Sequence, residues 1–167
     1  ATKDMKRAYR QLARWPGHAQ WQIVAAWHPE LQQWVFSELV GLAFGLAVAV
    51  LMFNRVPAQI VAIARRWLGI PCLNYFDDFR IHSLTMHSRT TWATFSQLVM
   101  LLGWIFDPDK DQEFSSFGTF LGVCENVAEA HLGRLTLSPK PSFLLSVQQI
   151  IHDALTQGKM ATGVANS

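Results

Sequence analysis

Residues 74–81 constrain the fold more than any other stretch, because two adjacent carboxylates, Asp77 and Asp78, interrupt an apolar, aromatic and β-favouring run. Burying an unpaired charge within such a run costs several kcal/mol. A tight turn between two strands reduces that cost. So does a divalent cation, since Mg²⁺ prefers carboxylate oxygens and leaves room for substrate phosphates. The stretch therefore predicts a hairpin with both aspartates at its tip, and a solvated turn without a metal stays open as the alternative.

The composition predicts a folded domain with a real core. Hydrophobic residues make up 50% of the 167 and charged residues only 16%, which excludes a disordered tail. The net charge of +2 does not by itself indicate nucleic-acid binding. Basic residues nevertheless crowd the first fourteen positions, at Lys3, Lys6, Arg7, Arg10 and Arg14. Such a patch is typical of phosphate contacts, and a solvated face is the alternative.

The cysteines and the apolar runs bear on the compartment. Cys72 and Cys124 lie far apart in apolar contexts, which predicts reduced, buried thiols in an intracellular protein, cytoplasmic or nuclear. The polar, basic start without Met indicates a fragment with no signal peptide. Residues 39–53 are uncharged but fall short of the roughly 20 residues of a membrane span. We therefore expect no membrane contact, with anchoring through this run as the minor alternative.

Two boxes carry a resemblance to a known family. The Tyr-Phe-Asp-Asp at 75–78 resembles the Tyr-x-Asp-Asp box of reverse transcriptases. The first residues resemble motif A of that family, matching at Asp4, Lys6, Ala8, Tyr9, Arg10 and Gln11. The alternative interpretation of these first residues is the start of a short amphipathic helix with Asp4 as its N-cap.

The resemblance implies roles for the residues of these two boxes. Asp4, Asp77 and Asp78 would be catalytic and would bind metal, with the Met5 carbonyl as a further ligand. Tyr9 would bind the incoming nucleotide, packing under its sugar and excluding a 2′-hydroxyl.

A third box resembles motif B, at Leu42, Phe44, Gly45, Leu46, Phe53 and Asn54. The resemblance implies that Phe44 and Gly45 bind the nucleotide. Ala43 stands where the family usually has proline, and residues 48–50 depart from its small-residue pattern. The first departure loosens the turn that positions Phe44 and Gly45.

Two further boxes follow in the family's order. Residues 102–110 resemble motif D, which makes Lys110 the candidate acid that protonates pyrophosphate; a solvent-exposed turn lysine is the alternative. Residues 117–123 resemble the motif E hairpin. There, Phe120, Leu121 and Gly122 would grip the primer backbone.

Periodicity predicts the elements that carry these boxes. Two β-favouring runs, 21–27 and 33–39, form a hairpin around Pro29. A long helix extends from 42 to 67, where Pro57 should kink or divide it. A second helix covers 89–102 and stops at Gly103, and apolar spacing over 144–155 marks a third.

The five boxes together resemble the palm of a retroelement reverse transcriptase. The implied fold is α+β: an antiparallel sheet carrying the Tyr-Phe-Asp-Asp hairpin, backed by two helices. Residues 1–142 would be the palm, without the fingers, and 143–167 the start of a thumb or connection with a frayed tail. The implied cofactors are two Mg²⁺ ions, with Mn²⁺ possible.

The implied partners and activity follow from the same resemblance. The partners are an RNA or DNA template with primer, deoxynucleoside triphosphates, and the fingers and thumb of a parent polyprotein. The implied activity is RNA-directed DNA polymerisation, weak in this chain alone. The alternative is a non-catalytic nucleic-acid-binding or structural remnant of such a polymerase.

Overall fold

The computed structural model describes residues 1–43, 45 and 47–157. The chain is mixed α+β, with small antiparallel sheets and several helices. It divides into two compact units, unit 1 over residues 1–114 and unit 2 over residues 115–167.

A three-stranded antiparallel sheet lies at the centre of unit 1, in the order β1–β5–β4. Strand β1 is Thr2–Asp4, β4 is Cys72–Tyr75 and β5 is Asp78–Ile81. Between β4 and β5 the chain reverses through Phe76 and Asp77, and Phe76 adopts a positive φ of 51°. The predicted hairpin is thus confirmed, with Asp77 in its turn and Asp78 at the start of β5.

Two helices complete the core beneath this sheet: α1 is Ala47–Arg66 and α2 is Ser88–Leu101. Phe53 and Ile60 of α1, Phe95 of α2 and Phe79 of β5 are almost completely buried in one apolar cluster. Full burial of each such side chain stabilises the fold by about 1.5–3 kcal/mol relative to exposure. The prediction of an α+β fold with an antiparallel sheet backed by two helices is confirmed.

The two core helices differ from the predictions in two respects, the first being that α1 begins at Ala47 and not at residue 42. Gly103 adopts the expected left-handed conformation, with φ of 78°, just beyond α2. Pro57, however, lies inside α1, buried, and does not divide the helix. Loss of a single backbone hydrogen bond is outweighed there by the apolar face that α1 buries on both sides of the proline.

Helix α1 is also the one helix in the described ranges that is long and apolar enough to cross a membrane. That criterion is weak, because core helices of other proteins satisfy it as well. Four buried residues of α1, Phe53, Ile60, Val61 and Ala64, belong to the cluster beneath the sheet.

A long hairpin lies between residues 4–11 and residues 42–54. Its strands are β2, Ile23–His28, and β3, Gln33–Glu38, in agreement with the sequence prediction. Trp27 and Trp34 pair edge to face across it, with centroids 5.8 Å apart. Both rings are about half exposed or more, so the hairpin contributes little to the core.

The return from this hairpin runs back against the segment that follows β1. Gly41 lies so close to Arg10 that a Cβ at position 41 would come within 2.7 Å of the Arg10 backbone. Only glycine permits this approach. This close approach holds the start of residues 42–54 beside the end of residues 4–11.

Cys72 is a free, buried thiol at the start of β4, and its carbonyl accepts a 2.6 Å hydrogen bond from Arg65 Nε. Burial raises the pKa of this thiol to about 11, although the charge of Arg65 acts in the opposite direction. Cys124, in unit 2, is also free and buried. The prediction of two reduced, buried thiols is confirmed in structural terms.

Unit 2 consists of a second antiparallel sheet and one helix. Strands β6 (Phe117–Phe120), β7 (Val123–Asn126) and β8 (Thr136–Pro139) lie in that order. Helix α3 is Pro141–Gln157, close to the predicted span. None of its side chains over 141–156 is fully buried. The predicted fraying of the last residues lies outside the described residues.

Candidate active site

Backbone pairing brings Asp4 together with Asp77 and Asp78. In the antiparallel register of β1 and β5, Asp4 is the partner of Asp78. The ladder then ends, and the Met5 amide donates a 3.1 Å hydrogen bond to the carbonyl of Asp77. Residues 4–5 therefore contact the turn of the β4–β5 hairpin directly. Asp4, Asp77 and Asp78 form what we call the acid cluster.

The acid cluster is electrostatically strained. The pKa of Asp77 is raised, first by burial and then by repulsion from Asp4, while Lys110 acts against the shift. The pKa of Asp78 is raised by burial, by repulsion from Asp4 and Asp77, and by a hydrogen bond with the Asp4 side chain. Like charges held this close disfavour simultaneous ionisation. A cation at this position would relieve the repulsion.

Lys110 supplies a positive charge to the acid cluster. Its Nζ lies 2.5 Å from Oδ2 of Asp4. This contact and the charge of Asp4 raise the pKa of Lys110, so the side chain is an ammonium at neutral pH. Although 63% of the Lys110 side chain is exposed, the Asp4 side chain is only 12% exposed. Lys110 therefore lies in an exposed turn, and its ammonium group contacts the acid cluster.

Residues 105–112, which we call the Lys110 segment, lie along the outer edge of β1. Isolated antiparallel bridges join Met5 to Phe106 and Thr2 to Gln112. Between them, the Asp107 amide donates a 2.9 Å hydrogen bond to the carbonyl of Asp4. A short 3-10 turn, Pro108–Lys110, fills the gap between the two bridges. This outward loop places Lys110 over Asp4.

The side chain of Gln11 fixes the start of the Lys110 segment. Its Nε2 donates to the carbonyls of Lys6, at 2.6 Å, and Ile105, at 2.7 Å. Its Oε1 accepts a 2.8 Å hydrogen bond from the Ile105 amide. Every hydrogen of this amide group is used, and the exchange with Ile105 imitates a backbone ladder. Gln11 thus joins the turn that carries Tyr9 to the segment that carries Lys110.

Lys3 fixes the far end of the same segment. Its Nζ lies 2.6 Å from Oδ2 of Asp111 and 4.0 Å from the centroid of the Trp92 ring. The side chains of Lys3 and Asp111 are 7% and 17% exposed. Removal of one partner of so buried a pair would leave an uncompensated charge. The Lys3 side chain therefore lies in the interior of unit 1 and does not face solvent.

The basic patch predicted near the start of the chain is accordingly smaller than its composition suggests. Arg14 is also paired within the chain, because its Nη2 lies 2.6 Å from Oε2 of the exposed Glu38 and its Nε donates a 2.6 Å hydrogen bond to the Leu39 carbonyl. Lys6, Arg7 and Arg10 are exposed. Three of the five cations face solvent.

Tyr9 and Met5 occupy different surroundings from the acids. Tyr9 lies in a 3-10 turn, Ala8–Gln11, and its ring stacks on Phe53 with centroids 4.6 Å apart. The Met5 side chain is in the core and only 1% exposed. Asp4 ends strand β1, so the alternative in which it caps a helix is wrong.

The remaining predicted site residues are Phe44, Gly45 and residues 120–122. Phe44 lies outside the described residues. Gly45 is exposed and has a φ of 94°, a conformation that suits glycine. Phe120, Leu121 and Gly122 form the turn between β6 and β7 in unit 2, where Leu121 and Gly122 both have positive φ. Their predicted role in gripping primer stays a prediction.

The donor set of the acid cluster suits a hard divalent cation. All three side chains are carboxylates, which Mg²⁺ and Mn²⁺ prefer. Within residues 1–43, 45 and 47–157, no group of three or more His, Cys, Asp or Glu residues already converges as a ready ligand set. In the structure, Oδ2 of Asp4 faces the Lys110 ammonium.

Sequence reasoning did not single out Gln11, Lys3 or Asp107 as parts of the site. Gln11 was part of the motif A match, and a polar amide two residues after Tyr9 was the signal for a further role. Asp107 precedes Pro108 in the stretch that resembles motif D, and its Oδ1 is buried without a hydrogen-bond partner among the described residues. Lys3 carried no signal beyond its position next to Asp4.

Comparisons with protein-family models and with curated proteins found no match to this chain.

Proposed function

We propose that this chain is the palm of a retroelement reverse transcriptase, an RNA-directed DNA polymerase that extends a primer 3′-hydroxyl with deoxynucleotides. One observation carries the proposal. Residues from three boxes far apart in sequence come together: Asp4 pairs in register with Asp78, the Met5 amide bonds to Asp77, and Lys110 contacts Asp4. If each box resembled the family only by chance, there would be no reason for their residues to lie together in the structure.

Each residue of the site has a chemical role in the proposed reaction. Asp4, Asp77 and Asp78 would hold Mg²⁺ or Mn²⁺. Such cations, when bound, favour ionisation of the primer hydroxyl and stabilise charge on the phosphates. The Lys110 ammonium carries a proton that the leaving pyrophosphate needs, which is the role of a general acid.

The position of Tyr9 supports selection of the sugar. Its ring is stacked on Phe53, a residue almost completely buried in the core. A ring supported in this way cannot retreat without disturbing the core, because protein interiors are close-packed. A nucleotide sugar lying against it would be discriminated by size, which favours deoxynucleotides.

The proposal is tested by metal binding and primer extension on the full 167-residue chain. We expect Mn²⁺ to bind saturably, as followed by calorimetry, and to lose about tenfold or more in affinity in both Asp4→Asn and Asp77→Asn. Asp109→Asn, an exposed acid in the Lys110 turn, is the matched control and should bind as wild type does. Any primer extension by the chain should fall with Asp77→Asn, and extension that survives this change unaltered would contradict the proposal.

The second candidate function is a nucleic-acid-binding remnant without catalysis. The exposed aromatic residues of the β2–β3 hairpin favour it, because Trp27, Trp34 and Phe36 offer faces on which bases could stack. This function predicts primer–template binding that is lost in a Trp27→Ala, Trp34→Ala variant and is indifferent to Asp4→Asn. Absence of cation binding together with that result would favour it over the polymerase.

A further inference from the structure

We propose that Lys110 is the internal counterion of the acid cluster, so that its ammonium and a divalent cation compete for Asp4. The inference rests on the proposed function, because it concerns how the proposed metal site is loaded. It adds a regulatory step: cation binding releases Lys110 from Asp4 and frees its ammonium for the leaving group.

The geometry gives Lys110 the position of a cation. Its Nζ lies 2.5 Å from Asp4 Oδ2. The other charges that bear on this ammonium, Asp107 and Asp77, are both negative. Positive charge is therefore concentrated on one side chain among several acids. A metal approaching Asp4 meets a carboxylate whose oxygen already has a partner.

The two sides of the contact differ in their freedom to move. Asp4 is held by strand pairing to β5 and by the Asp107 amide on its carbonyl. Lys110 has a long side chain that is 63% exposed, so its ammonium can turn into water without loss of packing. Competition would thus displace the Lys110 side chain while the backbone of the Lys110 segment stays on β1.

The charge balance gives a reason for this arrangement. Three neighbouring carboxylates repel one another, and the repulsion destabilises the fold when no cation is present. The lysine ammonium reduces it. It is a weaker partner than a divalent ion, which carries twice the charge and accepts several carboxylate oxygens at once. A lysine can therefore support the empty cluster and still give way to a metal.

The first test measures the reactivity of lysines in the full chain by acetylation and mass spectrometry, with and without Mg²⁺. We expect Lys110 to be protected without the cation and to become several-fold more reactive at saturating Mg²⁺. Lys3, which is paired with Asp111 in the same unit, is the internal control and should not change. Protection of Lys110 that does not change with saturating Mg²⁺ would overturn the proposal.

The second test compares Mn²⁺ affinities of variants by calorimetry. Lys110→Met should bind about tenfold more tightly than wild type, equivalent to about 1.4 kcal/mol. Lys110→Arg retains a cation and should stay close to wild type. Lys6→Met removes an exposed positive charge two residues from Asp4 and controls for a general change in charge. Its effect should be clearly smaller than that of Lys110→Met.

The outcomes separate this inference from the proposed function. If Mn²⁺ binding is lost in Asp77→Asn while wild type and Lys110→Met bind equally, the metal site stands and the counterion role is wrong. If neither wild type nor Lys110→Met binds the cation in a folded state, both are wrong. Folding of each variant is checked by circular dichroism.

Discussion

The two regions that meet at Asp4 are fixed by different means. The β1–β5–β4 sheet is joined by uninterrupted backbone pairs, and its inner face is buried against α1 and α2. The Lys110 segment touches β1 through two isolated bridges, and side chains distant in sequence hold its ends. The sheet can keep the aspartates in place by itself, whereas the lysine depends on contacts that can be removed one at a time.

This difference matches what each region would have to do in catalysis. Metal ligands need fixed positions, because coordination tolerates little error in distance. A proton donor has to approach and leave, so its side chain needs freedom. Experiments that perturb one region while sparing the other should separate the two requirements.

The largest effect should come from the core beneath the sheet. Phe79 is completely buried on β5 and lies 5.4 Å from the Phe106 ring and 5.8 Å from that of Phe95. Phe79→Ala should lower the free energy of unfolding by about 3–5 kcal/mol, since it leaves a cavity. Urea unfolding followed by circular dichroism measures this. Phe36→Ala, at a ring that is 69% exposed, is the control and should cost far less.

Loss of the Gln11 amide should have an intermediate effect confined to the Lys110 segment. Gln11→Leu removes three hydrogen bonds and should cost about 1–3 kcal/mol. Hydrogen exchange should increase at Ile105 while amides of β4 and β5 stay protected. Gln32→Leu removes one exposed side-chain hydrogen bond in the β2–β3 hairpin and serves as the control. Equal loss of protection in sheet and segment would mean that the two regions are not independent.

The smallest effect concerns the charge of Asp77, whose pKa is raised mainly by burial. A carboxyl with a raised pKa destabilises the fold once it ionises. The cost is absent below the unfolded-state pKa, near 3.8, and is complete above the raised folded-state pKa. Without divalent cations at pH 7, Asp77→Asn should therefore raise stability slightly, by about 0.5 kcal/mol after solvent screening. Thermal melts should show the gain at pH 7 and its disappearance near pH 3. A loss of stability at pH 7 would contradict this.

The sequence predicted the features that depend on local pattern. Alternation and the Asp-Asp interruption were enough to find the β4–β5 hairpin, and apolar spacing was enough to find α2 and its glycine stop. The motif order predicted that Asp4 would lie near Asp77. Backbone register, which decides that Asp4 faces Asp78, follows from strand pairing between residues far apart in the chain and had no local signal.

The contacts that fix Lys110 could not be predicted for the same reason. Gln11 and Ile105 are 94 positions apart, and Lys3 and Asp111 are 108 positions apart. Nothing near Lys3 indicates a buried partner, so it was counted with the exposed cations. Pro57 was predicted to kink or divide α1, and it does not divide the helix, because local backbone preference is weaker than burial of an apolar helix face.

The raised pKa and the burial of the Cys72 thiol determine where the chain can be labelled. With a pKa of about 11, only about one in ten thousand of these thiols is ionised at pH 7. Alkylating reagents attack the thiolate, and burial excludes them as well. Because Cys124 is also buried, a cysteine introduced at exposed Asp109 would be the preferred site of labelling. A spectroscopic probe could then be attached one residue from Lys110 with both native cysteines left in place.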